Sequence, residues 1–192
     1  MNNSDIIETF DRLAATWDLC TKKEDKIINL IFTNSNINSN KDILDVGCGT
    51  GILIEDYLNR NVNSITAVDI STEMIKIASN KYPDIHFVCA DISLFNEGKL
   101  YDNIVLYNCF PHLKSKEETI KHLSSLLKPN GILTIAHSMS INKLIKLHQN
   151  VSNISDIMLP NDLNELMNKY FNKIKEIDNE EMYMILGVKN KC

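Results

Sequence analysis

Residues 42–51 read Asp-Ile-Leu-Asp-Val-Gly-Cys-Gly-Thr-Gly, and this stretch decides the fold. Its first five residues form a short apolar run of the kind found in buried strands. Gly47, Gly49 and Gly51 follow at alternating positions, where glycine permits a tight turn and lets a ligand approach the backbone without meeting a Cβ atom. A helical pattern begins after Gly51. The stretch therefore predicts a strand, a glycine loop and a helix whose N-terminus offers free N–H groups.

On either side of this loop, short apolar runs alternate with longer segments of helical period, which is typical of repeated βα units around a parallel sheet. Ser71 is the predicted N-cap of one helix, and Ser115 with Glu118 forms a predicted capping box for another. The predicted strands are 42–46, 64–69, 85–89, 102–107 and 131–137. The pattern predicts an α/β fold.

Length and composition exclude several classes of protein. A chain of 192 residues, 44% hydrophobic and 23% charged, suits one globular domain and offers no membrane span. The net charge of -5, without a basic cluster, argues against a nucleic-acid partner. Five scattered cysteines without a CxxC pair indicate neither a disulfide framework nor a zinc site. The first residues lack the pattern of a secretory signal, so we expect a cytoplasmic location.

Acidic residues mark the ends of three consecutive predicted strands. Asp45 precedes the glycine loop, and Asp69 and Asp91 end the next two strands. Ligands of open α/β sheets bind at this carboxyl edge. The loop has the spacing G-x-G-x-G instead of the G-x-G-x-x-G of dinucleotide enzymes, and Asp45 would repel a pyrophosphate. A cationic ligand such as S-adenosylmethionine, which carries an ammonium and a sulfonium, is favoured.

The stretch from Asp45 to Gly51 resembles the first motif of the class I S-adenosylmethionine-dependent methyltransferases, and the resemblance extends over about residues 10–188. It implies that S-adenosylmethionine is the cofactor, with the glycines against its methionine part and Asp45 near its amino group. It also implies that Asp69 holds the ribose hydroxyls and that Asp91 binds the adenine amino group. The predicted cofactor contacts are Asp45, Gly47, Cys48, Gly49, Gly51, Asp69, Ile70, Met74, Asp91, Ile92, Asn108 and Trp17.

The same resemblance implies a single methyltransferase domain over 1–192, with a Rossmann-like, doubly wound sheet that is mostly parallel and ends in an antiparallel strand. Residues 10–18 resemble the N-terminal helix that covers the cofactor in members acting on small molecules. We accordingly expect a helical cap at 1–40, a cofactor-binding core at 41–137, a helical insertion on the acceptor side at 138–172 and closing strands at 173–192.

Methyl transfer from a sulfonium is a direct displacement, so the protein has to align the acceptor and exclude water. A general base is needed only where the acceptor atom is protonated. His112 and His137, which follow or end predicted strands, are the candidates for that role, and His148 is expected near the same cavity. A metal site built from these histidines has no diagnostic spacing, so no metal is predicted.

The acceptor is expected to be a small molecule, and no motif specifies an oligomeric state. Asn108-Cys109-Phe110-Pro111 differs from the Asn-Pro-Pro-aromatic motif of enzymes that methylate DNA amino groups. Two other functions stay open at this stage. One is a module that binds the cofactor and regulates a partner without turnover; the other, less favoured by the loop spacing, is a nicotinamide oxidoreductase.

Overall fold

The computed structural model describes residues 2–149 and 154–190. The strands are β1 (Asp42–Val46), β2 (Ser64–Asp69), β3 (His86–Cys89), β4 (Tyr101–Tyr107), β5 (Leu127–His137), β6 (Phe171–Asp178) and β7 (Tyr183–Lys189). The helices are α1 (Asn3–Ala14), α2 (Trp17–Cys20), α3 (Asp25–Asn34), α4 (Ile54–Asn59), α5 (Thr72–Lys81), α6 (Lys116–Ser125), α7 (Ile141–His148) and α8 (Pro160–Asn168), with a 3₁₀ helix at Phe110–His112. Residues 150–153, inside the predicted insertion, and Cys192, one of the five scattered cysteines, lie outside the described residues.

The seven strands form one sheet in the order β3-β2-β1-β4-β5-β7-β6. Strands β1 to β5 are parallel, and β7 pairs antiparallel with both β5 and β6. This confirms the predicted α/β fold with a mostly parallel sheet and an antiparallel C-terminal strand. The chain order reverses between β1 and β4, and open α/β sheets bind their ligands at the carboxyl end of such a switch point.

Both faces of the sheet are covered, as the continuous apolar strands require. Leu44 belongs to one hydrophobic cluster and its neighbour Ile43 to the other, because successive side chains of a strand point to opposite faces. Helix α3 buries Ile28 and Phe32 completely against the second face. The N-terminal segment therefore divides: α3 covers the sheet, whereas α1 and α2 lie at its carboxyl edge.

Two local predictions have opposite outcomes. Ser71 caps α5 as predicted, because its hydroxyl accepts a hydrogen bond from the Met74 N–H at 3.2 Å. The capping box at Ser115 was wrong: this residue has a left-handed φ of 41° and makes no side-chain cap, whereas a capping residue needs an extended backbone. Strand β5 also begins at Leu127, four residues earlier than predicted, because it pairs with Tyr101 before a register shift.

Among the described residues, no helix is long and apolar enough to cross a membrane.

Candidate functional site

A cavity of about 390 Å³ opens at the carboxyl edge of the sheet, beside the switch point between β1 and β4. Helices α1 and α2 cover it from the N-terminal side. Of the residues predicted to bind the cofactor or act in catalysis, the cavity is lined by Gly47, Cys48, Gly49, Asp69, Ile70, Met74, Asp91, Ile92, Asn108, Trp17 and His112. Asp45, Gly51 and His137 do not line it directly.

The glycine loop is held tightly between two strands. The N–H groups of Gly47 and Cys48 both donate to the carbonyl of Val68, at 2.8 and 3.1 Å. Gly47 has a φ of +67°, and a Cβ atom there would lie 2.5 Å from Cβ of Cys109. Since any side chain at Gly47 would meet both a strained backbone and Cys109, only glycine fits this position.

Asp69 stabilises the loop from the end of β2. One of its carboxylate oxygens accepts from the Gly49 N–H at 2.8 Å and the other from the Ser71 N–H at 2.9 Å. Burial nevertheless raises the pKa of Asp69, although these backbone hydrogen bonds act in the opposite direction. The cavity thus contains a carboxylate with two fixed donors and capacity to accept further hydrogen bonds from a ligand.

Asp45 lies behind the loop and is only 2% exposed. Its Oδ2 has no hydrogen-bond partner among the described residues. Burial, reinforced by the nearby charge of Asp69, raises the pKa of Asp45 to about 8. A buried acid without a partner is costly unless a cation or a donor compensates it, so this position is suited to a positively charged group.

Asp91 lies at the other end of the cavity and is already hydrogen-bonded. Ser93 donates to its Oδ1 through both its N–H, at 2.9 Å, and its hydroxyl, at 2.8 Å, while Asn3 of α1 donates to Oδ2 at 2.6 Å. Burial alone would raise the pKa of Asp91, but these hydrogen bonds hold it below its usual value. The carboxylate is therefore ionised and ready to accept an additional donor.

Two acidic residues that the sequence analysis did not single out fasten the covering helices. Asp11 of α1 accepts from the Ser71 hydroxyl at 2.5 Å and from the Glu73 N–H at 3.1 Å, at the N-terminus of α5. Asp18 of α2 accepts from the Thr50 hydroxyl at 2.5 Å. These contacts tie α1 and α2 to the rim of the cavity. Their partners lie 32 to 62 residues away in the chain, so no local pattern predicted them.

Four rings form a connected series at the cavity; Trp17, Phe10 and His112 line it, and His148 packs against His112. The ring centroids of Trp17 and Phe10 are 5.7 Å apart, those of Phe10 and His112 are 5.0 Å apart, and those of His112 and His148 are 5.3 Å apart. The first two are edge contacts, which are favourable between rings. Helices α2, α1 and α7 and the 3₁₀ helix therefore each contribute one ring to this aromatic wall, which we define as Trp17, Phe10, His112 and His148.

The tautomer of His112 is fixed by its surroundings. Its Nδ1 lies 2.8 Å from the carbonyl oxygen of Ile154, which can only accept, so Nδ1 carries the proton. Burial lowers the pKa of His112 to about 4, so the ring is neutral at pH 7. That leaves the lone pair on Nε2 of a ring that lines the cavity.

The other predicted residues occupy different positions. His137 is 3% exposed, its Nδ1 has no partner among the described residues, and burial lowers its pKa to about 3. The side chain of Asn108 lines the cavity but bridges to Ser138, donating to its hydroxyl at 3.0 Å and accepting from its N–H at 2.9 Å. Gly51 packs near Ile54 and Tyr82.

Within the part of the chain that the structure describes, no group of three or more His, Cys, Asp or Glu side chains is arranged to hold a metal ion. Cys20, Cys48, Cys89 and Cys109 are free thiols.

The chain is similar in sequence to known methyltransferases. A family model described as a methyltransferase domain matches residues 43–131. A malonyl-[acyl-carrier protein] O-methyltransferase from Acetivibrio thermocellus is 32% identical over 132 residues, which cover 66% of this chain and 47% of that protein. A ubiquinone biosynthesis O-methyltransferase from Rickettsia canadensis is 26% identical over 170 residues, covering 79% of this chain and 70% of that protein.

The fold is shared with solved structures. The N-methyltransferase NodS from Bradyrhizobium japonicum WM9, in complex with S-adenosyl-L-homocysteine, superimposes with a TM-score of 0.76 at 15% identity, covering 97% of this chain and 99% of that one. The chain spans about half the length of most of the curated relatives that it matches.

Proposed function

We propose that the chain is a class I S-adenosylmethionine-dependent methyltransferase, which binds S-adenosylmethionine in this cavity and methylates a small-molecule acceptor. The observation that carries the proposal is the combination of a glycine loop and, behind it, a buried Asp45 whose Oδ2 has no hydrogen-bond partner among the described residues. This environment repels a pyrophosphate and favours an ammonium, which argues against a nicotinamide cofactor.

The residues present fit this cofactor along its whole length. Gly47 and Gly49 leave room for its methionine part, and ionised Asp45 would compensate the ammonium. Asp69 has accepting capacity for ribose hydroxyls, and Asp91 can accept the adenine amino group once Asn3 moves or shares the carboxylate. When bound, S-adenosylmethionine supplies an electrophilic methyl group on a sulfonium.

We propose that the acceptor side is the aromatic wall. The charged residues lining the cavity are Asp69, Asp91, Lys114 and Glu118, and none of them belongs to this wall. An acceptor there meets rings on one side and the Nε2 lone pair of His112. Since α7 contributes His148 to the same wall, we assign the 138–172 insertion to the acceptor side as well.

The two O-methyltransferase relatives suggest two kinds of acceptor oxygen. A carboxylate, as in a malonyl group, is already deprotonated and would be favoured by a nearby cation, but Lys114, the lysine that lines the cavity, is not part of the aromatic wall. A hydroxyl on a flat ring is protonated at neutral pH, would pack on Phe10 and Trp17, and would donate to Nε2 of His112. We therefore propose a ring hydroxyl as the acceptor group, with His112 aligning it and accepting its hydrogen bond.

Two measurements test this. Titration calorimetry with S-adenosylhomocysteine should give micromolar binding that Asp69→Ala weakens at least tenfold; absence of binding to the unmodified protein would refute the cofactor assignment. Methyl transfer from labelled cofactor should then occur to dihydroxybenzene-type phenols and not to a malonyl thioester. Transfer to the thioester alone would refute the hydroxyl assignment, and cofactor binding with no transfer to either class would favour a binding module without turnover.

A further inference from the structure

The segment Ile154–Asp156 crosses the 3₁₀ helix that carries His112. Two contacts connect them: the Asp156 N–H donates to the carbonyl of Pro111 at 2.8 Å, and Nδ1 of His112 donates to the carbonyl of Ile154 at 2.8 Å. A third contact reaches the segment from α6, where Lys116 donates to Asp156. We call this segment the strap. Its partners are 40 to 45 residues away in sequence, so the contacts exist only in the folded chain.

Lys116 holds the strap and the 3₁₀ helix together. Its Nζ donates to the carbonyl of Leu113, just after the 3₁₀ helix, at 3.2 Å and to Oδ2 of Asp156 on the strap at 3.2 Å. The lysine side chain is 5% exposed, whereas that of Asp156 is 71% exposed. Burying an ammonium group costs free energy unless it is hydrogen-bonded, so a lysine in this position needs both partners.

We propose that Lys116 and Asp156 are positioning residues that hold the strap against His112 and thereby fix this histidine as the tautomer with the proton on Nδ1. The inference rests on the proposed function, in which Nε2 of His112 accepts the acceptor's hydroxyl. Without the Ile154 carbonyl, the two neutral tautomers would interchange, and the ring would present an N–H to the cavity part of the time. An N–H there cannot accept a hydrogen bond from a hydroxyl.

The surroundings of His112 contain few other charges that would set its protonation. The titratable groups that face it are His148 on α7, His137 on β5 and Lys116 on α6, while α1 contributes the apolar ring of Phe10. Burial is the main cause of the lowered pKa of His112, and the charges of His148 and Lys116 lower it further. The strap therefore selects between the two neutral tautomers, while burial keeps the ring neutral.

Nitrogen NMR of histidine-labelled protein in complex with S-adenosylhomocysteine tests the proposal, because it reports the tautomer of each imidazole and needs no acceptor. The His112 signal is assigned from its loss in His112→Gln. We expect one neutral tautomer, protonated on Nδ1, from pH 5.5 to 8. In Lys116→Met the Nε2–H form should become populated to tens of per cent.

Lys121→Met, an exposed lysine of the same helix, is the matched control and should leave the His112 signal unchanged. If Lys116→Met does not fold, Asp156→Asn replaces it, since this side chain is exposed, and Asp156→Glu should retain the Nδ1–H form. An Nε2–H form in the unmodified protein, or a tautomer that is unaltered in folded Lys116→Met and Asp156→Asn, would overturn the inference.

The outcome is separable from that of the proposed function. If the protein binds S-adenosylhomocysteine but has His112 in the Nε2–H form, the proposed cofactor binding stands and the proposed role of the strap is refuted. If the protein has the Nδ1–H form in the absence of ligand but does not bind S-adenosylhomocysteine, the proposed role of the strap stands and the proposed function is refuted.

Discussion

Binding of the cofactor should release a proton, and Asp45 should be its source. In the free protein, burial and the neighbouring Asp69 raise the pKa of Asp45 to about 8, so the carboxyl is mostly protonated below that pH. An ammonium bound near Asp45 favours the ionised form. The ligand's own amino group is protonated in solution at the same pH, so the proton that leaves comes from the protein.

The magnitude follows from linkage. At pH 6.5 a group with a pKa of about 8 is about 97% protonated, so binding should release about 0.9 proton, after a small correction for the unprotonated fraction of the ligand's amino group. Affinity should rise by about tenfold for each pH unit between pH 5.5 and 7.5. Both effects should flatten above pH 8, where Asp45 is ionised before the ligand arrives.

Titration calorimetry with S-adenosylhomocysteine, in buffers that differ in ionisation enthalpy, measures the released proton directly. Asp45→Asn should bring the release close to zero and remove the pH dependence. Asp91→Asn is the control: hydrogen bonds hold the pKa of Asp91 low, so its carboxylate is already ionised and the release should persist whatever the affinity. No release from the unmodified protein, or equal release from Asp45→Asn, would show that Asp45 does not face the ammonium.

Two further predictions concern stability. Gly47→Ala and Gly98→Ala both place a side chain on a left-handed backbone, at a cost of about 1–2 kcal/mol. Only the first also collides with Cys109, so its unfolding free energy should fall by about a further 1–3 kcal/mol in urea titrations; equal losses would refute the collision. Lys128 contacts Asp42 at 2.6 Å and, although burial acts in the opposite direction, helps hold the pKa of that carboxyl well below its usual value. Lys128→Met should therefore cost about 1 kcal/mol at pH 7, and the difference should shrink as the pH falls below about 4; a constant difference down to pH 2 would contradict an ionic origin.

Much of the cofactor side was predictable from the sequence because its signals are local. A strand, three alternating glycines and a helix follow one another in residues 42–59, and each takes its conformation from nearby residues. Asp69 and Asp91 could be placed because parallel strands present their carboxyl ends at one edge of the sheet. The α/β fold follows from the same repetition of strands and helices.

The two candidate histidines illustrate what a local pattern leaves undecided. His112 follows a strand and His137 ends one, both at the carboxyl edge of the sheet, so the sequence pattern does not distinguish them. In the folded chain His112 lines the cavity, whereas His137 is buried, does not line it and pairs with Tyr183 of β7. Whether a residue at a strand end faces a cavity depends on the helices that pack over that end of the sheet. The residues of the strand alone do not predict this packing.

The sequence by itself determined the sheet, the glycine loop and the acidic strand ends, because these depend on residues close together in the chain. Only the tertiary structure decided how α1 and α2 are fastened, which tautomer His112 adopts and where the rings meet. Asn3 reaches Asp91 across 88 residues, and His112 reaches Ile154 across 42. Partners so far apart in the sequence meet only in the folded chain, so the residues around one partner do not indicate the other.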